Sequence, residues 1–364
     1  MRIHFAAIPA YGHVFPMVPL AAAAQAAGHD VLFFCGDDFA GRLPVPVVTG
    51  VPASLTLGVA EREAVAAAGD RGDPFWFPRA MFGVVMPRHT EPLLRAAWAN
   101  HGRPDLLVHE SSHLGAARVA AAEGVPAISF NIGMQAAGWL TILQPEADLQ
   151  PRALIDPAPP SWSLWTLPPG IERLPIRSVA WSGAAGAGAD WLAGTTAGPR
   201  GYVTLGTVSF GRVEVLRRSI LAAARVCERV LVAAGPQGEP AALGELPASV
   251  RVERFVDQAA VLQQTDVAIH HGGTGSLLAC LAAGVRQVLT PQGADQFVNA
   301  DRLTALGAGV AVANDAPADA IDAALARVLG DPGVQAQVEA IRAEIASMPD
   351  PERVVAQLVE RADA

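Results

Sequence analysis

Residues Val267–Ala283 have the sequence VAIHHGGTGSLLACLAA. A short apolar run leads into a glycine-rich turn at 270–276, and a segment rich in Ala and Leu follows. This pattern predicts a buried strand, a tight turn and a helix. The N–H groups and the dipole at the start of such a helix attract an anion such as phosphate. We expect His270 and His271 to add side-chain donors at the same place.

The same order of strand, turn and helix recurs along the chain. Near the N-terminus we predict a strand at 2–9, a helix at 16–27 and a strand at 31–34. Further predicted strands lie at 106–108, 127–130, 201–205, 229–233, 250–253 and 287–290, with helices at 114–123, 213–227 and 351–362. Residues 44–98 show no regular pattern. The alternation predicts an α/β fold with doubly wound parallel sheets.

The length of 364 residues suits two domains. A segment dominated by Ala and Gly, 183–198, is expected to be a flexible linker between domains 1–182 and 199–350. Ligands of doubly wound sheets bind at the carboxyl ends of the strands. We therefore expect the ligand site in a cleft between the two domains.

Composition excludes several classes of protein. The formal charge is −9, and the 26 basic residues are scattered arginines with no lysine, which disfavours a nucleic-acid partner. No apolar run reaches the roughly 20 residues that cross a bilayer, and no signal segment is apparent, so we expect a cytoplasmic protein without membrane contact. Cys35, Cys227 and Cys280 have no metal-type spacing and are expected to be buried thiols.

A histidine follows the first predicted strand. His13 lies in the segment Pro9–Pro16, which lacks the Gly-x-Gly-x-x-Gly spacing of a dinucleotide site, so NAD is disfavoured. A histidine here suits a general base, although a structural role is the plain alternative. Glu110 also follows a strand of the same sheet and is the candidate that orients His13. Asp105 and His109 compete with it, and a solvated acid is the other alternative for Glu110.

Polar side chains follow predicted strands in the second half as well. Thr207, in a Gly-Thr turn of a common type, can donate to a phosphate oxygen. Asp295 and Gln296 offer a carboxylate and an amide together, which suits vicinal sugar hydroxyls. A helix N-cap is the structural alternative for Asp295.

At these motifs the chain resembles the GT-B glycosyltransferases that use nucleotide-sugar donors, particularly the bacterial enzymes of natural-product (antibiotic) pathways. The resemblance is collinear over nearly the whole chain and rests on His271–Ser276, Pro291–Gln296, Gly12–His13 and Pro16–Leu20. It implies two Rossmann-like domains that face each other across a cleft, an acceptor-binding domain 1–182 and a nucleotide-sugar domain 199–350. The C-terminal helix, 351–364, is expected to pack back on the first domain.

The resemblance also implies the roles of residues. His13 would deprotonate the acceptor hydroxyl and Glu110 would orient His13. The residues implied in binding the donor diphosphate are Thr207, His271, Gly273, Thr274, Gly275 and Ser276. Phe255 and Val256 would flank the nucleobase, Gln258 would bind the ribose, and Asp295 and Gln296 would bind the donor sugar.

The implied reaction is an inverting, metal-independent transfer of a hexose or deoxysugar to a hydroxyl of a natural-product aglycone. A TDP-sugar is favoured over a UDP-sugar as co-substrate, with no other cofactor. Phe255 replaces the Trp of many relatives, and Glu110 replaces an Asp. Phe75, Trp76 and Phe77 form an aromatic patch suited to the acceptor, although ordinary loop packing explains it equally well. A homodimer is a further expectation.

Two other functions compete with this one. A nucleotide-sugar epimerase or hydrolase on the same fold would share the phosphate loop but needs carboxylates at the donor sugar, where only Asp295 is found. A non-catalytic partner protein of a glycosyltransferase would have no need of both His13 and Glu110. Release of nucleoside diphosphate that depends on an acceptor separates the three.

Overall fold

The computed structural model describes residues 1–69, 71–73, 75–134, 149–162, 166–183, 188–193, 197–206, 213–235 and 238–362. Backbone contacts divide the chain into two units. Unit 1 comprises Met1–Ala158, Ser163–Arg177 and Met348–Ala364, and unit 2 comprises Pro159–Trp162 and Ser178–Ser347.

Unit 1 is built on a parallel sheet. Its strands are β1 (Arg2–Ala6), β2 (Asp30–Cys35), β3 (Val47–Thr49), β4 (Leu106–Glu110), β5 (Ala127–Phe130), β6 (Ala153–Asp156) and β7 (Glu172–Pro175). The strand order is β3-β2-β1-β4-β5-β6-β7. Phe5 and Ala6 of β1, whose side chains point to opposite faces of the sheet, are both fully buried, as expected for a central strand that is covered on both faces.

Helices of unit 1 follow its strands. They are α1 (Tyr11–Val14), α2 (Val18–Ala26), α3 (Leu57–Ala67), α4 (Trp76–Ala80), α5 (Met86–His101) and α6 (Leu114–Glu123). Short 3-10 turns lie at Phe15–Met17 and Asp37–Phe39. Helices α3 to α5 occupy the region that showed no regular sequence pattern. Pro87 and Pro92 within α5, and a π-helical turn at Met81–Val85, break the ordinary helical signal there.

Unit 2 repeats the plan with six parallel strands. They are β8 (Arg200–Thr204), β9 (Arg229–Ala233), β10 (Val250–Glu253), β11 (Val267–His270), β12 (Arg286–Leu289) and β13 (Gly309–Ala311), in the order β10-β9-β8-β11-β12-β13. Its helices are α7 (Ala189–Leu192), α8 (Val213–Val226), α9 (Gln258–Leu262), α10 (Thr274–Ala283), α11 (Gln296–Ala305), α12 (Ala318–Gly330) and α13 (Pro332–Ser347). Additional 3-10 turns lie at Pro160–Trp162 and Pro240–Leu243. The prediction of two doubly wound parallel sheets is confirmed.

The predicted linker and the C-terminal helix each pack within one unit. The stretch predicted as a flexible linker contains α7, where Leu192 is fully buried in a cluster with Leu231 and Val261. The last helix, α14 (Pro351–Ala362), belongs to unit 1 and packs against α2. Arg361 of α14 pairs there with Glu172.

The three cysteines are free and buried, as predicted. Burial raises the pKa of Cys35 and of Cys227 to about 12, with nearby carboxylates adding to the shift. These thiols are therefore protonated and chemically inert near neutral pH.

Candidate active site

His13 and Glu110 meet at the carboxyl edge of the unit 1 sheet. His13 lies in α1, the turn that follows β1, and Glu110 is the last residue of β4, the neighbour of β1 in the sheet. The Nδ1 atom of His13 lies 3.2 Å from the Oε1 atom of Glu110. The side chain of His13 is 24 % exposed, whereas that of Glu110 is fully buried.

The carboxylate of Glu110 is ionised in spite of its burial. Burial by itself would raise the pKa of Glu110, but His13, His113 and the hydrogen bond from Ser112 outweigh it and lower the pKa to about 2. An ionised Glu110 can only accept, so the Nδ1 atom of His13 is the donor. Its Nε2 atom then carries the lone pair that can accept a proton.

The competing residues near Glu110 have other partners. Asp105 accepts a hydrogen bond from the backbone N–H of Arg2 at 2.7 Å. His109 is buried and its Nδ1 atom bonds to the backbone oxygen of Glu110 at 3.0 Å. Burial also lowers the pKa of His109. Glu110 is therefore the acid that pairs with His13, and it is not a solvated surface acid.

Two residues beside His13 were not singled out from the sequence. Ser112 donates to the Oε2 atom of Glu110 from both its backbone N–H and its hydroxyl, each at 2.7 Å. The ring centroid of Phe82, in the π-helical turn, lies 6.4 Å from that of His13. A hydroxyl two residues after a strand-end acid was a usable signal for Ser112; for Phe82 no local signal existed.

The predicted aromatic patch is only partly open. Phe75 is 40 % exposed. Trp76 starts α4, stacks edge-on against Phe77 and is covered by the guanidinium of Arg71. Phe77 packs against the apolar cluster that includes Met81. Among the aromatic rings of the described residues, it is Phe82 that lies beside His13.

The glycine-rich turn of unit 2 has the predicted strand, turn and helix. Strand β11 ends at His270, Gly272 has a φ of 87°, and α10 begins at Thr274. The N-cap, Gly273, has no side chain to bond to the helix start. The N–H groups of the first turn, at Thr274, Gly275 and Ser276, therefore have no partner within the helix and are available to bind an anion.

The ring of His271 fills the space beside two glycines. A Cβ atom added to Gly206 would lie 2.6 Å from the imidazole ring of His271. One added to Gly273 would lie 2.4 Å from the Nε2 atom of that ring. Burial, followed by the neighbouring His270, lowers the pKa of His271 to about 3. Its Nδ1 atom is buried without a partner in the described part of the chain. A neutral imidazole is thus held beside Gly273, at the start of α10.

His270 has a different task from the expected one. Its Nδ1 atom accepts the backbone N–H of Gly272 at 3.1 Å, and its Nε2 atom bonds to Gln287 at 2.8 Å. Because both ring nitrogens are used inside the fold, the expectation that His270 adds a donor for the ligand is wrong. His270 shapes the turn instead.

Asp295 and Gln296 lie at the start of α11, beside this turn. The Oδ2 atom of Asp295 accepts from the hydroxyl of Thr274 at 2.7 Å and from Asn299 at 3.0 Å. Asp295 occupies the N-cap position of α11, as the structural alternative expected, but its side chain makes no capping bond there. The hydroxyl of Thr274 is committed to Asp295, which leaves its backbone N–H for an anion. Asn299, also missed from the sequence, is buried and joins both residues.

The remaining residues predicted to bind the sugar donor differ in how exposed their side chains are. Gln296 is buried, and its amide oxygen accepts the backbone N–H of Gln292 at 2.8 Å. Phe255 is 37 % exposed, whereas Val256 is buried in the unit 2 core, so a ligand can reach little more than its backbone. Gln258 reaches the hydroxyl of Ser276 at 3.4 Å. Thr207 lies outside the described residues.

Within the described ranges, no helix combines the length and apolar character needed to span a membrane.

Residues 218–361 match the family model of the erythromycin biosynthesis protein CIII-like C-terminal domain.

Three known proteins illustrate the similarity of the whole chain. The L-demethylnoviosyl transferase of Streptomyces niveus is 34 % identical, with 96 % of each chain covered. The elloramycin glycosyltransferase ElmGT of Streptomyces olivaceus is 32 % identical, with 98 % of this chain and 97 % of that one covered. The crystal structure of the Streptomyces sp. SF2575 glycosyltransferase SsfS6, complexed with thymidine diphosphate, superposes with a TM-score of 0.77 at 27 % identity and 99 % coverage of both chains. The chain therefore belongs to the GT-B glycosyltransferases of bacterial natural-product pathways.

Proposed function

We propose that this glycosyltransferase moves a hexose or deoxysugar from a TDP-sugar to a hydroxyl of a natural-product aglycone, with inversion of the anomeric carbon. The observation that carries the proposal is the pair formed by His13 and Glu110, in which Nδ1 donates and Nε2 is left to act as the base. A buried ionised carboxylate fixes the tautomer and stabilises the imidazolium that forms.

In the proposed reaction the Nε2 atom of His13 takes the proton of the acceptor hydroxyl as its oxygen attacks the anomeric carbon. The bond from that carbon to the diphosphate breaks in the same displacement, and the nucleoside diphosphate leaves. Glu110 stays ionised throughout. General-base help of this kind is worth roughly 10²- to 10⁴-fold in rate.

Unit 2 would bind the nucleotide sugar in the proposed reaction. The free N–H groups at the start of α10 and the neutral ring of His271 would offset the charge of the leaving diphosphate, so that no metal ion is required. Gln258 and Phe255 would bind the ribose and the base. Asp295 and Gln296 would bind the sugar, with Asp295 held in place by Thr274. A TDP-sugar is preferred because the similar SsfS6 was crystallised with thymidine diphosphate.

On the acceptor side, Phe82 is the ring best placed to contact an aglycone held at His13. The proposed contacts with the acceptor also include Phe75, Trp76 and Phe77. The names of the similar proteins, a demethylnoviosyl transferase and an elloramycin glycosyltransferase, support a natural-product acceptor. A cytoplasmic location and a homodimer stay predictions.

The proposal is tested by incubating the protein with TDP- and UDP-sugars, with and without a panel of aromatic and polyketide aglycones. We expect release of thymidine diphosphate only when an acceptor is present, together with a glycoside of inverted anomeric configuration. Release without any acceptor would indicate the epimerase or hydrolase alternative. No release with any pair, while TDP still binds, would favour the non-catalytic partner protein.

A further inference from the structure

Ser112 makes more contacts with Glu110 than His13 does. It lies in the turn between β4 and α6 and is only 6 % exposed. Its backbone N–H and its hydroxyl are each 2.7 Å from the Oε2 atom of Glu110, and the hydroxyl is also 3.0 Å from Oε1. The same hydroxyl oxygen lies 3.5 Å from the Nδ1 atom of His13. One serine therefore contacts both members of the pair.

These contacts matter because the glutamate side chain is long and needs to be held in one orientation. Glu110 has one more rotatable bond than an aspartate, so its carboxylate has more orientations to choose from, and ordering them costs conformational entropy. Two donors from Ser112 hold Oε2. Only Oε1 then remains to accept from the ring of His13.

The other groups around Glu110 do not perform this task. His109 bonds to the backbone oxygen of Glu110, and His113 uses its Nδ1 atom to accept the backbone N–H of Ala116 at 3.1 Å. Burial lowers the pKa of both histidines, that of His113 to about 4, so both are neutral near pH 7. Ser112 is thus the side chain besides His13 that donates to the carboxylate among the described residues.

We propose that Ser112 is a positioning residue that orients the Glu110 carboxylate and thereby keeps His13 in the tautomer with a free Nε2 atom. The catalytic consequence rests on the function proposed above, whereas the tautomer is a property of the chain alone. Ser112 acts through Glu110 and transfers no proton itself.

The tautomer is measured directly in the full chain labelled with 15N-histidine, by two-bond proton–nitrogen NMR spectra at pH 8. Comparison with His13→Ala assigns the His13 signals. We expect one tautomer, protonated at Nδ1, in the wild type and a mixture of the two tautomers in Ser112→Ala. An unchanged single tautomer in Ser112→Ala would overturn the proposal, whether or not the protein transfers sugar.

Turnover provides the second readout. In Ser112→Ala we expect kcat to fall about tenfold, because a hydrogen bond to a charged group is lost. KM for donor and acceptor should stay within about twofold, because no contact with a substrate is lost. Ser112→Thr, which keeps the hydroxyl, should recover most of kcat. In the His13→Ala background, Ser112→Ala should cause no further loss.

The neighbouring Ser111 provides a matched control. It is equally buried, and its hydroxyl makes no hydrogen bond to Glu110 in the described structure. Ser111→Ala should leave both the tautomer of His13 and kcat unchanged. Equal losses of kcat in Ser111→Ala and Ser112→Ala would contradict the positioning role and indicate a general packing defect. If the wild type transfers no sugar at all, the proposed function fails, while the NMR comparison still decides the role of Ser112.

Discussion

The hydroxyl of Thr274 donates to the carboxylate of Asp295 across 2.7 Å. This bond ties the first residue of α10 to the N-cap position of α11, so the proposed anion site and the proposed sugar-binding carboxylate are held in a fixed relation within unit 2. The buried amide of Asn299 bonds to both side chains and reinforces the arrangement.

Removal of this hydroxyl should weaken donor binding. In Thr274→Val we expect KM for the donor sugar to rise roughly 5- to 30-fold, because loss of one charge-assisted hydrogen bond is worth about 1–2 kcal/mol. KM for the acceptor should not change. Steady-state kinetics with each substrate varied in turn provides the measurement. Thr304→Val, on the exposed face of α11, is the control, and an equal rise in KM there would contradict the assignment.

The placement of His271 predicts a specific intolerance at Gly273. A methyl group there would lie 2.4 Å from the Nε2 atom of His271, whereas at Gly275 it would meet nothing within 4 Å beyond its own chain neighbours and the backbone of its own helix. We expect Gly273→Ala to displace the imidazole, to lower Tm by several degrees and to weaken TDP binding at least tenfold by calorimetry. Gly275→Ala should leave Tm nearly unchanged. A wild-type Tm and TDP affinity in Gly273→Ala would show that His271 is not held as described.

Buried histidines should make the fold sensitive to acid. His4 is fully buried between Phe34 and Trp98, and burial lowers its pKa from 6.5 to about 4. The neutral form is therefore favoured in the folded state. The stability that His4 contributes is complete above pH 6.5, falls as the pH drops from 6.5 towards 4, and is lost below that value.

Urea unfolding at several pH values between 7.5 and 4.5 measures this effect. The free energy of unfolding should decline across the range, with up to ~3 kcal/mol of the decline due to His4 alone. His4→Leu should make the decline shallower. A slope unaffected by His4→Leu would mean that His4 is not the group responsible.

Phe82 should matter for the acceptor and not for the donor. In Phe82→Ala we expect KM for the aglycone to rise about tenfold through loss of an aromatic contact, while TDP affinity is retained. Phe75→Ala should have a smaller effect, because it is the ring of Phe82, among the described residues, that lies beside the ring of His13. A larger rise in KM for the aglycone in Phe75→Ala than in Phe82→Ala would instead place the acceptor site at the aromatic patch 75–77.

The sequence predicted nine of the thirteen strands in the described residues and missed β3, β6, β7 and β13. It also predicted that His13, Glu110 and Asp295 follow strands, and parallel strands bring their ends to one edge of a sheet. The partners of these residues were not predictable. Ser112 and Asn299 act through contacts that depend on side-chain orientation, and His270 turns inward to Gln287 although it stands beside His271. The helices between 76 and 101 were hidden by internal prolines and by the π-helical turn, which break the 3.6-residue period.

The most direct test of the account is the turnover number of His13→Ala, measured with saturating donor and acceptor alongside its affinity for TDP. The imidazole is removed from unit 1, while the proposed diphosphate site in unit 2 is left intact. We predict that kcat falls roughly 10²- to 10⁴-fold with TDP affinity nearly unchanged. Wild-type turnover in His13→Ala would contradict the assignment of the pair His13 and Glu110 as the catalytic base and its orienting acid.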